Sequence, residues 1–347
     1  MTIPEDRANS EISPEIFELA ARIPDNIELV VKDKREVIEL IVMALFAQGH
    51  VLCDDVPGTA KTITARALGA SVDAEMIRVQ FTPDLQPFDL TGGPIYNEKT
   101  KEFVDRVGPV RRAKILLGDE INRAMAKSQS ALLEVMGEGQ VTTADGVTHK
   151  APEPFFVIAT QNPIDQEGTN PLPEAQMDRF MVRVTFGHPG PEALAEIIRA
   201  QRGGHPIKNL RPVVTTDELL QIQQAVRQVT VKSSINTWIT NIVARTQALE
   251  YPLSGDKEAL LKAGSSARGG IALDRLARAR AILEGRDFVT PEDVAAIVVP
   301  VLGHRLIKTR HRFWKEAETK THDEEGALRA FFQEHVFKHV PYDDDAE

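Results

Sequence analysis

The segment DVPGTAKT, from Asp55 to Thr62, contains residue types that bind phosphate. In a phosphate-binding loop, a glycine stands several residues before a Gly-Lys-Thr or Gly-Lys-Ser triplet. Backbone amides and a helix N-terminus face the anion, the lysine adds a positive charge, and the threonine hydroxyl ligates Mg²⁺. Lys61 and Thr62 are present, but Asp55 and Ala60 occupy the two glycine positions. Alone, the segment is equally compatible with a Pro-Gly turn before an ordinary helix.

An apolar run, ILLGDE, ends in the two acids Asp119 and Glu120. At the end of a strand, the first carboxylate can hold the water shell of Mg²⁺, and the second can orient and deprotonate an attacking water. Two solvated acids after a strand are common, so this run alone is weak evidence. A phosphate-binding loop followed by such a run is much less expected by chance, and the pair favours nucleotide chemistry.

Two later residues extend this pattern. The apolar run FFVIATQN ends in Asn162, and the segment PEAQMDRF contains Arg179. Behind the loop and the acid pair, Asn162 is predicted to touch the terminal phosphate or the water, although an asparagine after a strand is usually a turn residue. Arg179 could neutralise transition-state charge across a subunit boundary. An arginine beside an aspartate is, however, more often a surface ion pair.

Alternating strands and helices are predicted around these residues. Helical periodicity covers 13–23 and 34–49 and resumes directly after the loop. Short apolar runs read as buried strands at 50–54, 76–81, 113–120 and 153–162. This alternation predicts an α/β fold with a parallel sheet and helices on both of its faces.

The pattern changes after a turn-rich junction at 187–192. Helical periodicity then dominates over 205–310 and predicts a second, helical domain. Residues 311–347 contain two amphipathic runs and end in the acidic sequence DDDAE.

Composition limits the possible functions. The formal net charge is 41 minus 51, or −10, which argues against a general nucleic-acid binder. Cys53 is the sole cysteine, so an intrachain disulfide and a cysteine metal cluster are excluded, and we expect a small buried residue. The N-terminus is polar and no apolar run approaches the ~18 residues of a membrane span, so we expect a cytoplasmic protein with no membrane insertion.

Five segments together resemble the MoxR family of AAA+ ATPases. They are GHVLCDDVPGTAKT, QFTPDLQPFDLTG, LLGDEINRAMAKSQSALLEVM, PFFVIATQNPIDQEGTNPLPEAQMDRF and GSSARGG followed by ARARAILEGRDFVTPEDV. The resemblance covers about residues 28–305. It implies a P-loop α/β/α sandwich with a small all-helical lid domain, assembled as a homo-oligomeric ring, usually a hexamer, with ATP between subunits.

The resemblance also implies residue roles. The resemblance assigns nucleotide and Mg²⁺ binding to residues of the loop, namely Asp55, Pro57, Gly58, Thr59, Ala60, Lys61 and Thr62. Thr62 and Asp119 are implied to bind the metal. Glu120, Asn162 and Arg179 are implied to be catalytic, and Arg179 is implied to act on the ATP of a neighbouring subunit. In the lid, Arg268 is assigned to the γ-phosphate, with Arg275 as the reserve candidate two turns further along a helix. Arg123 is expected near the subunit boundary or in a structural ion pair.

The domain boundaries follow from the same comparison. We predict an N-terminal arm and helix (1–27), a nucleotide-binding domain (28–190), a lid (205–310) and a helical C-terminal extension with an acidic tail (311–347). Within the nucleotide-binding domain, residues 84–109 match the insertion of this branch of AAA+ proteins. The pair Asp145-Gly146 indicates a hairpin over residues 140–152. Either segment could grip a partner or be an ordinary surface loop.

Three functions remain open at this stage. The first is an ATP-hydrolysing, chaperone-like motor that acts on a client protein, with a von Willebrand factor A (VWA) domain partner implied by the resemblance only. The second is a nucleotide-gated scaffold with little turnover, which the altered loop favours. The third is a nucleic-acid motor, which the net charge of −10 and the 5% aromatic content make unlikely.

The two loop substitutions lead to one structural expectation. Some relatives carry aspartate and alanine at these positions, so we expect the loop to tolerate Asp55 and Ala60. We also expect Ala60 to adopt helical backbone angles, because a positive φ would cost an alanine roughly 1–2 kcal/mol.

Overall fold

A computed structural model of the chain describes residues 12–54, 58–162, 170–202, 204 and 206–344. The predicted Asp55 and Pro57 contributions to the loop lie outside these residues. The strands, in chain order, are β1 (Val51–Asp54), β2 (Met76–Gln80), β3 (Gly92–Asn97), β4 (Glu102–Val107), β5 (Ile115–Asp119), β6 (Gln140–Thr142), β7 (Thr148–Lys150), β8 (Phe156–Gln161), β9 (Val182–Val184), β10 (Leu261–Ala263) and β11 (Ile307–Lys308). The α-helices are α1 (Pro14–Glu28), α2 (Arg35–Phe46), α3 (Lys61–Ser71), α4 (Pro87–Thr91), α5 (Ala126–Glu138), α6 (Glu174–Met177), α7 (Pro191–Gln201), α8 (Thr216–Gln228), α9 (Ser233–Ala248), α10 (Ala267–Leu283), α11 (Pro291–Leu302), α12 (Arg312–Thr321) and α13 (Glu324–Phe331).

The central sheet is parallel and has the strand order β2-β5-β8-β1-β9. The three inner strands β5, β8 and β1 are short, largely apolar runs, which is typical of strands covered on both faces, whereas the outer strands β2 and β9 also carry arginines. The order places β8 between β5 and β1. The carboxyl ends of these three strands therefore lie together at one edge of the sheet, where open α/β sheets bind their ligands.

Alternate residues of the strands fill two separate cores. Val51 and Cys53 of β1 face the larger core, which α1, α2, α3 and the lid helices also line. Leu52 faces the smaller core, which contains Leu132 and Val135 of α5. This alternation follows from the period of two along a strand, and it produces the expected helices on both faces. Cys53 is buried, as expected.

The first helix is longer than its sequence pattern indicates. Proline normally ends a helix, and the periodic run predicts an end at residue 23. In the structure α1 continues through Pro24 to Glu28, and it buries Ile23 and Ile27. The packing of these side chains outweighs the lost hydrogen bond. Asn26 then donates hydrogen bonds to Ser71 Oγ at 2.9 Å and to Arg211 O at 3.1 Å.

Helices dominate the chain beyond residue 206. Capping boxes begin α8 at Thr215 and α11 at Thr290. The parallel sheet with a helical lid confirms the expected fold class. Within the lid region, β10 and β11 also form a small antiparallel pair that the sequence pattern does not indicate.

Two hairpins extend from the sheet domain. β3 pairs antiparallel with β4 inside the 84–109 segment, and β6 pairs with β7 around the turn at Gly146, whose φ is 81°. The first hairpin carries exposed apolar side chains, including Tyr96 and Phe103, whose rings meet edge to face at 5.4 Å.

The predicted C-terminal extension, residues 311–347, packs on the helical region that precedes it. Trp314 Nε1 donates to Leu260 O at 2.8 Å, and the Trp314 ring stacks on Phe331 at 4.9 Å. Trp238 Nε1 of α9 donates to Val340 O at 2.8 Å. Across the described ranges, no helix combines the length and apolar character needed to cross a bilayer.

Candidate functional site

The phosphate-binding loop leaves β1 at Asp54 and enters α3 at Lys61. Gly58 has φ 86° and Ala60 has φ 68° and ψ 7°, so both lie in the left-handed region. The expectation of helical angles at Ala60 is therefore wrong. Ala60 immediately precedes α3, and an alanine takes this left-handed conformation where glycine would do so without strain.

Left-handed residues before a helix build an anion site. Backbone amides in alternating helical and left-handed conformations point into one concavity, and the N-terminus of the helix adds its dipole. Lys61 and Thr62 are the first two residues of α3, and both are partly buried. Gly58 to Thr62, the part of the loop that the structure describes, thus has a conformation suited to a phosphate site despite the alanine at position 60.

Asp119 ends β5 and lies in a network of three elements. Its Oδ1 accepts a hydrogen bond from Thr160 Oγ1 of β8 at 2.6 Å. Its Oδ2 accepts from Arg78 of β2, at 3.0 Å from Nε and 2.6 Å from Nη2. Thr160 is buried, so the carboxylate is fixed at the same edge of the sheet as the loop.

Glu120 follows Asp119 in a left-handed conformation, with φ 56° and ψ 51°. Strained backbone of this kind persists only where surrounding contacts enforce it, and it concentrates at functional sites. Here the Glu120 amide donates to Thr160 Oγ1 at 2.9 Å. The carboxylate accepts from Gln80 Nε2 at 2.9 Å and from Arg123 Nη1 at 3.0 Å. Arg123 thus forms the ion pair that was one of its two expected roles.

Asn162 directly follows β8, the strand between those of the loop and the acid pair. It is buried, and its carbonyl accepts a hydrogen bond from Asn122 Nδ2 at 3.2 Å. The strand order therefore brings the ends of β1, β8 and β5 together, as the order of motifs predicts.

The Arg179 side chain packs against α5 of the same chain. Its guanidinium donates a short hydrogen bond to Leu133 O and passes close to Gly137, where a Cβ would lie 3.3 Å from Nη1. The side chain is half-buried. Its role toward a neighbouring subunit stays a prediction.

The two lid arginines occupy different positions on α10. Arg268 is exposed at the start of the helix, with Nη1 3.5 Å from Asp178 Oδ2. Arg275 is exposed two turns further on. Asp178 also accepts from Ser266 Oγ at 3.1 Å and from Arg305 Nε at 2.9 Å. The carboxylate next to Arg179 therefore ties the sheet domain to the lid.

Arg305 is the buried member of this junction. Only 3% of its side chain is exposed, and it also donates to Phe180 O at 2.6 Å. Burial lowers the pKa of Arg305, and Asp178 opposes that shift. The aspartate thus compensates a desolvated charge.

Sequence reasoning missed Arg78, Gln80, Thr160 and Asp178. The first two carry a signal that could have been used. They alternate with Val79 on a short parallel strand, so they share a face that a purely structural strand would fill with apolar residues. Thr160 and Asp178 acquire their roles from contacts across 41 and 127 residues, and no local pattern encodes these contacts.

The donor set fits Mg²⁺ with a nucleotide. Mg²⁺ prefers oxygen ligands, takes one or two from the protein and keeps several waters. The hydroxyl of Thr62 and the carboxylate of Asp119 are such ligands. Among the described residues no group of three or more His, Cys, Asp or Glu could hold a metal ion by itself. A metal shared with phosphate oxygens suits this sparse set.

Two regions of the chain match known protein families. Residues 50–182 match the ATPase family associated with various cellular activities (AAA), and residues 256–325 match the AAA lid domain.

Similar proteins cover most of the chain. The uncharacterized protein YeaC of Bacillus subtilis is 43% identical over 293 residues, covering 84% of this chain and 88% of its own length. Chaperone MoxR1 of Mycobacterium tuberculosis is 39% identical over 283 residues, covering 82% of this chain and 74% of its own.

A solved structure has the same architecture. The crystal structure of a candidate ATPase from Cytophaga hutchinsonii is 36% identical, with a TM-score of 0.79 over 91% of this chain and 94% of that chain. With these relatives, and with the loop, the acid pair and the lid in one polypeptide, the chain belongs to the MoxR family of AAA+ ATPases.

Proposed function

We propose that this protein binds Mg²⁺-ATP at the loop site and hydrolyses it to ADP and phosphate. One observation carries the proposal. Asp119 ends β5 and Glu120 follows it, at the sheet edge where β1 also ends, and Thr160 holds them there through two hydrogen bonds. Phosphoryl transfer depends mainly on positioning and electrostatic stabilisation, and this edge supplies both.

The loop residues bind the triphosphate. The amides at Gly58 to Lys61 face the β- and γ-phosphates, and the ammonium of Lys61 neutralises part of their charge. Thr62 and Asp119 would hold Mg²⁺, which would neutralise charge on the phosphate oxygens.

The water is activated next to the acid pair. Glu120 accepts a proton from the attacking water, and the strained backbone and the contact with Gln80 fix the direction of its carboxylate. Asn162 orients the same water or the γ-phosphate from the adjacent strand. A general base of this kind contributes on the order of 10²–10⁴-fold to the rate.

A second copy of the chain completes the site. Arg179 acts on the ATP of its neighbour, and an arginine in this role contributes about 10³–10⁵-fold. Arg268, or Arg275 in its place, reaches the γ-phosphate from the lid. Arg268 is the preferred candidate for this contact because it lies at the junction between sheet domain and lid, with its Nη1 3.5 Å from Asp178 Oδ2.

The proposed assembly is a hexameric ring that remodels or activates protein clients, with a VWA-domain protein as partner. Membership of the MoxR family supports this proposal, and so does the name chaperone carried by the Mycobacterium tuberculosis relative. The exposed apolar side chains of the β3–β4 hairpin offer a surface for a client. A net charge of −10 disfavours nucleic acid as the substrate.

A nucleotide-gated scaffold with little turnover is the alternative. The positive φ of Ala60 favours it, because a strained loop could bind nucleotide without reaching the geometry for hydrolysis. The two proposals differ in steady-state turnover.

Phosphate release from Mg²⁺-ATP tests the proposal. We expect turnover by the wild type, a loss of at least 100-fold in Glu120→Gln, and wild-type turnover in the control Glu138→Gln, which changes an exposed glutamate of α5. We expect ATP to raise the melting temperature of the wild type and of Glu120→Gln but not of Lys61→Ala. Tight ATP binding without turnover at any protein concentration would favour the scaffold.

A further inference from the structure

We infer, building on the proposed ATP site, that Glu324 of the C-terminal extension and Arg183 of β9 couple the C-terminal helices to the phosphate-binding loop. The two residues are 141 positions apart in sequence, yet Arg183 Nη2 donates to Glu324 Oε2 at 2.9 Å. Arg183 is thereby a positioning residue for the loop, and Glu324 sets its place.

Arg183 lies beside the strand that leads into the loop. β9 pairs parallel with β1, and Arg183 is opposite Leu52. Because alternate residues of a strand share a face, Asp54 lies on the same face as Leu52 and Arg183. Arg183 Nη1 is 3.7 Å from Asp54 Oδ2, and Asp54 is the last residue of β1. A shift of Arg183 therefore acts on the residue at the entrance of the loop.

Glu324 links Arg183 to the lid. Its Oε1 accepts from Lys308 Nζ of β11 at 2.8 Å. Lys308, Glu324, Arg183 and Asp54 thus form a chain of alternating charges, the ion-pair chain, which runs from the lid through the extension to the loop entrance. Burial opposes ionisation of Glu324, but Arg183 and Lys308 outweigh it and lower the pKa of Glu324. The carboxylate is therefore charged at neutral pH.

The distances show which contact dominates. Arg183 makes a hydrogen-bonded ion pair with Glu324 at 2.9 Å, while its contact with Asp54 is a looser 3.7 Å. If Glu324 loses its charge, Asp54 becomes the stronger partner and Arg183 moves toward it. Lys308 then loses the carboxylate that it shares with Arg183 and keeps its longer contact with Glu318, at 3.9 Å. The shift of Arg183 disturbs the loop entrance.

The extension moves with the lid because its apolar contacts are with the lid. Leu328 of α13 packs on Gly303 so closely that a Cβ there would lie 2.8 Å from Leu328 Cδ1. Trp314 bonds Leu260 O, as described above. When bound nucleotide fixes the loop entrance, Asp54 and Arg183 are held in place and the Arg183–Glu324 ion pair is strengthened. By thermodynamic reciprocity, a change at Glu324 alters nucleotide affinity by the same coupling factor.

The test combines nucleotide affinity with hydrogen exchange, using ADP and Mg²⁺ as the probe. The variants are Glu324→Gln, Arg183→Gln and the double variant. The control is Glu325→Gln, since Glu325 is adjacent but pairs with Arg329 one turn on, at 2.6 Å. Glu324 is half-exposed, so Glu324→Gln is expected to fold. Affinity is measured with a fluorescent ADP analogue, and exchange is followed in α3 and α13.

We expect ADP to slow exchange in both helices of the wild type and of Glu325→Gln. In Glu324→Gln and Arg183→Gln, saturating ADP slows α3 but no longer changes α13, and the Kd for ADP rises about 5–10-fold, the lower range of allosteric couplings. The double variant matches Arg183→Gln, because one contact carries both effects.

Two results would overturn the inference alone. In the first, ADP slows α3 of the wild type but leaves α13 unchanged. In the second, Glu324→Gln behaves like Glu325→Gln in both measurements. If ADP protects α3 in none of the proteins, the proposed ATP site falls, and the inference falls with it.

Discussion

Arg78 of β2 donates both Nε and Nη2 to the same oxygen of Asp119, at 3.0 and 2.6 Å. Asp119 is the carboxylate proposed to hold Mg²⁺, so the guanidinium and the metal compete for one ligand. The Arg78 side chain is 45% exposed and that of Asp119 is 12% exposed, so solvent screens the guanidinium, and the ion pair is worth on the order of 1 kcal/mol. The competition is therefore modest and reversible.

This competition makes Arg78→Gln informative. Without the guanidinium, we expect ATP binding to reach half-saturation at about fivefold lower Mg²⁺, which corresponds to about 1 kcal/mol. A Mg²⁺ titration of a bound fluorescent ATP analogue measures this shift. The control is Arg112→Gln, which removes another exposed ion pair, with Glu75 at 3.1 Å. A higher Mg²⁺ requirement in Arg78→Gln would mean that Arg78 supports the metal site.

Ala60→Gly should stabilise the protein. Relief of the left-handed alanine stabilises the folded state by about 1–2 kcal/mol. The greater freedom of glycine in the unfolded chain offsets about 0.4–1 kcal/mol of this gain. We expect the free energy of unfolding to rise by about 1 kcal/mol in chemical denaturation. Ala70→Gly, inside α3, is the matched control and should lower it by about 1 kcal/mol. Equal losses in both variants would contradict the left-handed assignment of Ala60.

Asp178→Asn should destabilise the junction between sheet domain and lid. Arg305 would stay buried without its counter-charge, a defect that costs about 3 kcal/mol when one partner of a buried pair is removed. Denaturant unfolding measures the loss. Asp274→Asn, which breaks the more exposed pair with Arg278 at 3.1 Å, should change stability by less than about 1 kcal/mol. Similar losses in the two variants would argue against a buried charge at Arg305.

His50 should make stability fall in mild acid. Burial lowers the pKa of His50 to about 4, although its hydrogen bond with Met136 O opposes the shift. As the pH falls, His50 is therefore protonated near pH 6.5 in the unfolded chain but only near pH 4 in the folded chain. The stabilisation is complete above pH 6.5 and decreases as the pH falls toward 4, by about 2 kcal/mol at pH 5.

The comparison variants for this pH effect are His50→Gln and the exposed His339→Gln. Unfolding free energies at pH 7.5 and 5 should differ less in His50→Gln than in the wild type. A residual slope is expected, because burial also lowers the pKa of His304. His339→Gln should keep the wild-type slope. An unchanged slope in His50→Gln would show that the folded state accepts this proton.

The sequence predicts the parts of the site that depend on strand ends. Apolar runs locate β1, β5 and β8, and the residues that follow them meet because parallel strands end at one edge. Lys61, Thr62, Asp119 and Asn162 are therefore predictable from local pattern and order. The assignment of the family rests on the same segments.

The remaining features depend on contacts that no local pattern encodes. A loop with alanine in place of glycine carries no sign of a positive φ, and the tertiary turn imposes it at Ala60. Arg78 and Asp119 meet because β2 neighbours β5 in the sheet. Arg183 and Glu324 meet only after the extension has packed on the lid. Helix α1 passes Pro24 because packing outweighs the local preference.

The central claim is that ATP is hydrolysed at a site completed by a second copy of the chain. Mixing two inactive variants tests it most directly. Lys61→Ala lacks the phosphate lysine but supplies Arg179, and Arg179→Ala binds ATP but lacks the arginine. We predict that each alone releases phosphate at less than about 1% of the wild-type rate. An equimolar mixture should recover a substantial fraction of that rate, rising with protein concentration. A mixture no more active than its components, at concentrations where the wild type turns over, would contradict the account.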